Sequence, residues 1–395
     1  MNKKVIPYGR HSVDGADIRA VVRVLKSDRL TQGPIVERFE EAFAKYCGAK
    51  YAVAVSSGTA GLHLAGLAAG FKAGDDVLTS PMTFVATPNS VLYAGARPIF
   101  TDIDTSSLGI DYAKLKTPLA YRVKGLIHVH FAGLPSLSTS RDLVSRRKDF
   151  VLIEDACHAL GAEYHSGGHW KKVGCASGVD MTVFSFHPVK HITTGEGGMI
   201  TTNDLGFYQT LRLLRSHGIE KNSTLFVDKS QSKNPWYYEM RKLGFNYRIS
   251  DIQCALGLSQ LKRVGGFIHQ RRVLAEYYKK KLQGVDCMRA PEEGSDTRSS
   301  YHLYVLRIDF KKLGKTRAQV IKELLGHGIG TQVHYVPVYR HPFYRKGAHL
   351  AASDFPATEA YYEQALSIPL YPSMRTSEAS RVVGALQSVV RRARR

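Results

Sequence analysis

The sequence predicts an α/β protein with a large domain over residues 1–265 and a smaller C-terminal α+β domain over 266–395. Two observations carry this. Between residues 51 and 202, short apolar runs alternate with helical patterns, the signature of a mostly parallel sheet flanked by helices. After about residue 210 the texture becomes helical, and strand-like runs return only beyond residue 300.

Ile18, Val21, Val22 and Leu25 stand at helical spacing and predict an opening amphipathic helix, which ends in the polar break Ser27–Pro34. A second helix follows through Phe39 and Phe43. Strands are then expected at Tyr51–Val55, Val77–Thr79, Arg97–Asp102, Val123–Val129, Val151–Asp155, Met181–Phe186 and Met199–Thr202, with a helix over Thr83–Tyr93. Further helices are expected over Asp251–Leu261 and on to Lys281, followed by a loop at Pro291–Ser299. The small domain reads as strand Tyr301–Phe310, helix Arg317–Leu325, strand Thr331–Tyr335 and terminal helix Ser377–Arg391.

Charge is the unusual bulk property, with 55 Lys and Arg against 34 Asp and Glu, a net of +21. The basic residues are dispersed except for the cluster Arg391–Arg395, and no nucleic-acid-binding motif accompanies them. A solvated basic surface that favours small anionic substrates is the expectation, without nucleic acid as a partner. No apolar run reaches membrane-spanning length, and the start Met1–Tyr8 lacks a signal-peptide core, so a cytoplasmic protein is expected. Five scattered cysteines show no metal-ligand spacing and predict reduced thiols.

Three segments can carry chemistry. Ser56-Ser57-Gly58-Thr59-Ala60 sits where a strand turns into a helix; small residues there let the backbone approach an anion, although such turns are also Gly/Ser-rich for steric reasons. Asp155 ends a strand, at the edge where open α/β sheets bind ligands, and is equally compatible with a helix N-cap. His158, three residues on, fits either a cofactor contact or a satisfied histidine. The third segment, Phe184–Gly198, delivers Ser185 and then Lys190 in otherwise apolar or neutral surroundings, which suits a lysine of depressed pKa for Schiff-base chemistry. His187 and His191 are four apart, but Pro188 disfavours a helix that would align them on a metal, and no metal is expected. Neither a dinucleotide fingerprint nor a Walker lysine occurs. Together, Lys190, Asp155, Thr59 with Ser185, and Phe84 supply one of each part that pyridoxal phosphate needs: an amine, a carboxylate for the ring nitrogen, phosphate donors and an aromatic face.

The stretches SSGTAGLHLAG, SPMTFVATPNSVLYAGARPIFTDID, LIEDACHALGAEY, FSFHPVKHITTGEGG, RSHG and LGFNYRISDIQCALGLSQL resemble the DegT/StrS family of nucleotide-sugar aminotransferases over nearly the whole chain. The resemblance implies the type I pyridoxal-phosphate aminotransferase fold and a homodimer with shared active sites. It places Lys190 on the cofactor-bearing lysine and Asp155 on the pyridinium partner. His158 falls where the ring's phenolic oxygen is contacted, and Phe84 on the stacking aromatic. Gly58, Thr59 and Ser185 fall on phosphate ligands, and Asn246 on an asparagine given to the partner subunit's phosphate.

Within the family, Leu30–Gly33, Cys157–Gly161 and Gln332–Tyr339 most resemble the subgroup of pseudaminic acid biosynthesis. That likeness implies transfer of an amino group from L-glutamate to C4 of a UDP-linked 4-keto-6-deoxy-N-acetyl sugar, giving UDP-4-amino-4,6-dideoxy-N-acetyl-β-L-altrosamine. It marks Tyr8, Asp28, Arg29, Leu30, Thr31, His334, Tyr335, Val336 and Pro337 as substrate contacts, with Arg29 and Arg340 as candidates for the diphosphate. Gly58 and Gly61 depart from the bulkier or polar residues of that subgroup. The alternatives are an aminotransferase acting on another nucleotide keto-sugar, with dTDP or GDP and at C3 or C4, a sugar dehydratase of the same fold, or a non-catalytic cofactor-binding regulator. Dehydratases of this fold carry His at the lysine position, so Lys190 argues against that reading.

Overall fold

A computed structural model describes residues 5–114, 122–136, 149–346 and 350–393. Met1–Lys4 and the last two arginines of the basic terminus lie outside them.

Seven strands build the central sheet: β1 (Tyr51–Val55), β2 (Asp76–Thr79), β3 (Arg97–Phe100), β4 (Gly125–Val129), β5 (Val151–Asp155), β8 (Met181–Ser185) and β9 (Gly198–Thr202), in the order β1-β9-β8-β5-β4-β2-β3. The run from β3 to β8 is parallel, and only β9 runs against its neighbours. Alternation along β1 shows why both faces need cover. Val53 and Val55 join the core under helices α3 (Gly58–Ala68), α4 (Ala86–Tyr93) and α5 (Leu205–Arg215), while Ala52 and Ala54 face the opposite core. That second core contains Phe39 and Phe43 of α2 (Pro34–Cys47), Cys254 of α6 (Asp251–Leu261) and Phe267 of α7 (Val264–Leu282).

A separate core gathers Ile6, the second half of α7 from Leu274, helices α8 (Arg317–Gly326) and α9 (Thr376–Ala393), and a three-stranded sheet. Its order is β12-β14-β15, formed by Met288–Arg289, Tyr304–Ile308 and Ala365–Ile368. A hairpin, β6 (Glu163–Ser166) with β7 (His169–Lys172), takes Thr297–Arg298 (β13) as a third strand.

Four expectations are corrected. The stripe Ile18, Val22 and Leu25 on α1 (Gly15–Leu25) faces outward; the buried side is Asp17, Ala20 and Val24, because Gln260 and Arg263 reach the Asp17 carboxylate. Between Ser216 and Ile249 the chain is not helical but forms single turns and a short hairpin, β10 (Ile219–Glu220) with β11 (Glu239–Met240). The expected strand 331–335 makes one bridge, Gln332 to Ser367, and then runs on without strand pairing. The loop 291–299 yields β13, since Thr297 and Arg298 pair with Tyr164 and Glu163.

Among the described residues, no helix is long and apolar enough to cross a membrane.

Candidate active site

The carboxyl ends of the parallel strands meet the returning segment 332–336 around a cleft of about 690 Å³. Its walls include Tyr8, Gly58, Thr59, Phe84, Asp155, His158, Ser185, Lys190, His334, Tyr335 and Val336. Eleven positions singled out in the sequence therefore converge, although they span 329 residues of chain.

β5 delivers Asp155 at its last residue, in register with Val129 of β4 and Val183 of β8. Both carboxylate oxygens are engaged: Oδ2 accepts from Thr87 Oγ1 at 2.6 Å and Oδ1 from the Cys157 N–H at 3.1 Å. Thr87 is in turn bonded to Thr83 Oγ1 at 2.7 Å. These bonds keep the carboxylate an acceptor and fix its plane.

Lys190 follows β8 in a turn closed by its own N–H on the His187 carbonyl. Burial holds its ammonium pKa below the ordinary lysine value, against the weaker opposing pull of Cys157 and Asp155. Burial likewise keeps His158 well below its usual range, reinforced by the Lys190, His334 and His191 charges. His158 Nε2 lies 3.1 Å from Tyr335 Oη, while its Nδ1 is buried without a hydrogen-bond partner among the described residues.

At the other end of the cleft, α3 starts at Gly58, with Ser57 Oγ accepting from the Ala60 N–H. The first N–H groups of such a helix have no intrahelical acceptor and point at the anion position. A Cβ on Gly58 would stand 2.9 Å from Ser185 Cβ and 3.0 Å from Cys157 Sγ, and one on Gly61 would meet Val183 Cγ1 at 2.8 Å. Larger side chains are thus excluded at both positions by the packing of α3 on β8.

These features fit pyridoxal phosphate on the chain's own geometry: a buried lysine of lowered pKa, an oriented carboxylate, a buried imidazole nitrogen unpartnered among the described residues, and a glycine-lined helix start beside two hydroxyls. Phe84, exposed at the mouth, presents an aromatic ring 5.8 Å from that of Tyr335.

Other expected residues lie elsewhere in the chain. Asp28 and Arg29 border a different depression, between α1, α2 and α6. Leu30 and Thr31 are tied to the start of α6, through Leu30 O to the Asp251 N–H and a bridge from Thr31 to Ser250. Asn246 precedes that same helix and is exposed. None of these five lines the cleft of its own chain. Pro337 sits just past the lining, where it starts the turn Val338–Arg340. Arg340 is no free diphosphate ligand, because Glu359 engages its guanidinium through both carboxylate oxygens.

Sequence reasoning passed over Thr83, Thr87 and His302. The two threonines are four apart at the start of α4, a spacing that fits many helices. His302 is read only as part of a strand, yet it lines the cleft.

The fold and this cleft define a pyridoxal-phosphate-dependent aminotransferase. The chain belongs to the DegT/DnrJ/EryC1/StrS aminotransferase family, whose model matches residues 11–387. It is similar to the spore coat polysaccharide biosynthesis protein SpsC of Bacillus subtilis, 38% identical over 387 residues, covering 98% of this chain and 97% of that one. It is also 36% identical over 394 residues to the UDP-4-amino-4,6-dideoxy-N-acetyl-β-L-altrosamine transaminase of Campylobacter jejuni, covering 99% of both. Among solved structures, Helicobacter pylori PseC, an aminotransferase involved in the biosynthesis of pseudoaminic acid, superposes with a TM-score of 0.88 at 30% identity, covering 98% of this chain and 100% of that one. The activity is therefore that of a sugar aminotransferase on nucleotide sugars.

Proposed function

We propose that the protein transfers the amino group of L-glutamate to C4 of a UDP-linked 4-keto-6-deoxy-N-acetyl sugar, giving UDP-4-amino-4,6-dideoxy-N-acetyl-β-L-altrosamine for pseudaminic acid biosynthesis. The observation that carries this reading is the end-to-end similarity to both the Campylobacter transaminase and PseC. The cleft supports it, since Tyr8, His334 and Val336, which the likeness marks as substrate contacts, line the same cleft as Lys190.

Bound pyridoxal phosphate supplies an aldehyde carbon that exchanges amines and a ring that withdraws electrons. Lys190 Nζ, whose pKa burial lowers, takes the proton from the α-carbon of glutamate in the first half-reaction. In the second it delivers a proton to C4 of the sugar. Asp155, held as an acceptor by Thr87 and the Cys157 N–H, keeps the ring nitrogen protonated. Gly58, Thr59 and Ser185 take the phosphate, Phe84 covers the ring face, and His158 meets the ring oxygen.

The active form on this reading is a cytoplasmic homodimer. Thr31 and Asn246 support it, because neither lines its own cleft: Thr31 bridges to Ser250 at the start of α6, and the exposed Asn246 bridges to Ser216. The division near residue 265 is supported by a change of core along α7, whose Phe267 and Ile268 still pack in the large-domain core while Leu274 and the residues after it join the separate one. The similarity to SpsC keeps a second reading in view, an aminotransferase of the same family acting on another nucleotide keto-sugar.

Incubation of the holoenzyme with L-glutamate and UDP-linked 4-keto-6-deoxy-N-acetyl-L-altrosamine, followed by mass spectrometry, tests the proposal, with Lys190→Ala as control. Amino-sugar from the wild type alone supports it. Bleaching of the cofactor band by glutamate without amino-sugar transfers the assignment to another sugar, identified by a panel of dTDP- and GDP-linked ketones.

A further inference from the structure

Tyr335 belongs to the segment that the sequence assigns to substrate contact, yet its hydroxyl is spent elsewhere. It lies 3.1 Å from His158 Nε2, and its ring packs edge-on against Phe131 at 6.1 Å between centroids. Burial, followed by the Asp155 charge, raises its pKa, so the phenol keeps its proton.

His158 also packs against His302, whose ring centroid is 4.3 Å away. That contact is built with some care. Tyr301 adopts a left-handed φ of 48°, and the fully buried Arg271 donates from Nη1 to the carbonyls of both Tyr301 and His302 at 3.1 Å. A non-glycine residue in that region is sustained only where its surroundings over-determine it, and here the outcome is a fixed His302 ring.

A neutral imidazole carries one N–H. If Nε2 accepts the hydrogen bond from the Tyr335 hydroxyl, the imidazole's own hydrogen must sit on Nδ1, the buried atom with no partner among the described residues. In the other tautomer Nδ1 has a lone pair and cannot donate. We propose that Tyr335 is a positioning residue which, by donating to His158 Nε2, fixes His158 as an Nδ1–H donor to the ring oxygen of pyridoxal phosphate. It acts on the cofactor through His158 and not on the sugar. The inference rests on the reading of His158 as the ring-oxygen contact.

The holoenzyme's visible absorption band, titrated with pH and without substrate, reports the electronic state of the ring. Besides Tyr335 and His302, the titratable groups around His158 are Lys190, His334 and His191, with Asp155 and Cys157 on its own segment. A donor to the ring oxygen stabilises its anionic form, so its loss raises the pH at which the band changes. Tyr335→Phe keeps the ring and removes only the hydroxyl. It should move the band midpoint up by about half to one pH unit and lower kcat several-fold, while the KM for the nucleotide sugar changes little. His158→Asn should shift the midpoint in the same direction. If His158→Asn shifts the band and Tyr335→Phe does not, the role of Tyr335 is wrong and that of His158 survives. If neither shifts it, the reading of His158 fails and the proposal falls with it. A raised sugar KM with an unmoved band in Tyr335→Phe returns Tyr335 to substrate contact.

Discussion

Thr87 Oγ1 donates to Asp155 Oδ2 across 2.6 Å, tying the first turn of α4 to the last residue of β5 inside the core of the site. Thr87 is fully buried, so its hydroxyl has no water to turn to. Thr87→Val, nearly isosteric, removes the donor and leaves a carboxylate oxygen short of one bond. Losing a hydrogen bond to a charged group costs about 1.5–3 kcal/mol, roughly a 10- to 150-fold weakening if the whole effect falls on the bound cofactor. Titration of apoenzyme with pyridoxal phosphate checks this. An unchanged Kd would mean that Asp155 is held by the Cys157 N–H alone.

Lys190 must be neutral to attack an aldehyde. Burial lowers its pKa from the ordinary 10.5, so a larger neutral fraction exists near pH 7 and the fraction grows as pH rises. The rate of holoenzyme formation from apoenzyme should climb with pH and level off with a midpoint below 10.5. Stopped-flow absorbance between pH 6 and 10 measures it. A rate still rising steeply at the upper end, with no levelling, would show that Lys190 titrates like a free lysine. Lys190→Ala should bind the cofactor without forming the covalent band.

Much of this was legible because strand-ends carry local patterns. The apolar run before Asp155 and the run before Ser185 and Lys190 specify both the strand and the end at which the polar residue appears, and the structure places both where parallel strands open. The glycine at position 58 is likewise readable, and the contacts at 2.9 and 3.0 Å explain it. What sequence could not reach depends on packing between distant segments. The outward turn of Ile18, Val22 and Leu25 follows from Gln260 and Arg263, over 240 residues away, drawing Asp17 inward. Arg340 looked available for a diphosphate until Glu359, on a later helix, came to lie against it. Thr87 and His302 have no distinguishing neighbours in the chain, and their roles arise from what the fold sets against them.

Four histidines near the cleft are held neutral. Burial is the leading cause for each, lowering His158, His191 and His302 well below 6.5 and His334 to about 4. Between pH 6.5 and those lower values the unfolded chain binds protons that the native state refuses, so stability rises with pH in that window. It is fully present above the unfolded histidine pKa and is lost as pH falls toward the folded values. Each histidine contributes at most about 1.4 kcal/mol per pH unit. Urea unfolding of the holoenzyme at pH 7.5, 6.0 and 5.0 should show a midpoint that drops steadily. His191→Gln should flatten the slope by one histidine's share, and a pH-independent midpoint would contradict the assignment.

A shared active site makes a quantitative demand on mixtures. If Asn246 serves the partner's phosphate while Lys190 serves its own cleft, Lys190→Ala and Asn246→Ala chains damage different sites. In a heterodimer of the two, one cleft carries both lesions. The other has its own Lys190 and an intact Asn246 from its partner. Random reassortment of equal amounts of two chains makes half the dimers mixed, so about a quarter of all clefts become wild-type in composition. Activity should therefore rise to about a quarter of the wild-type value after unfolding and refolding the two variants together, well above the mean of the separately refolded parents. If Asn246 acts within its own chain, every cleft in the mixture keeps one lesion. Mixing then gives no gain, and the exposed position of Asn246 outside its own cleft would need a purely structural explanation.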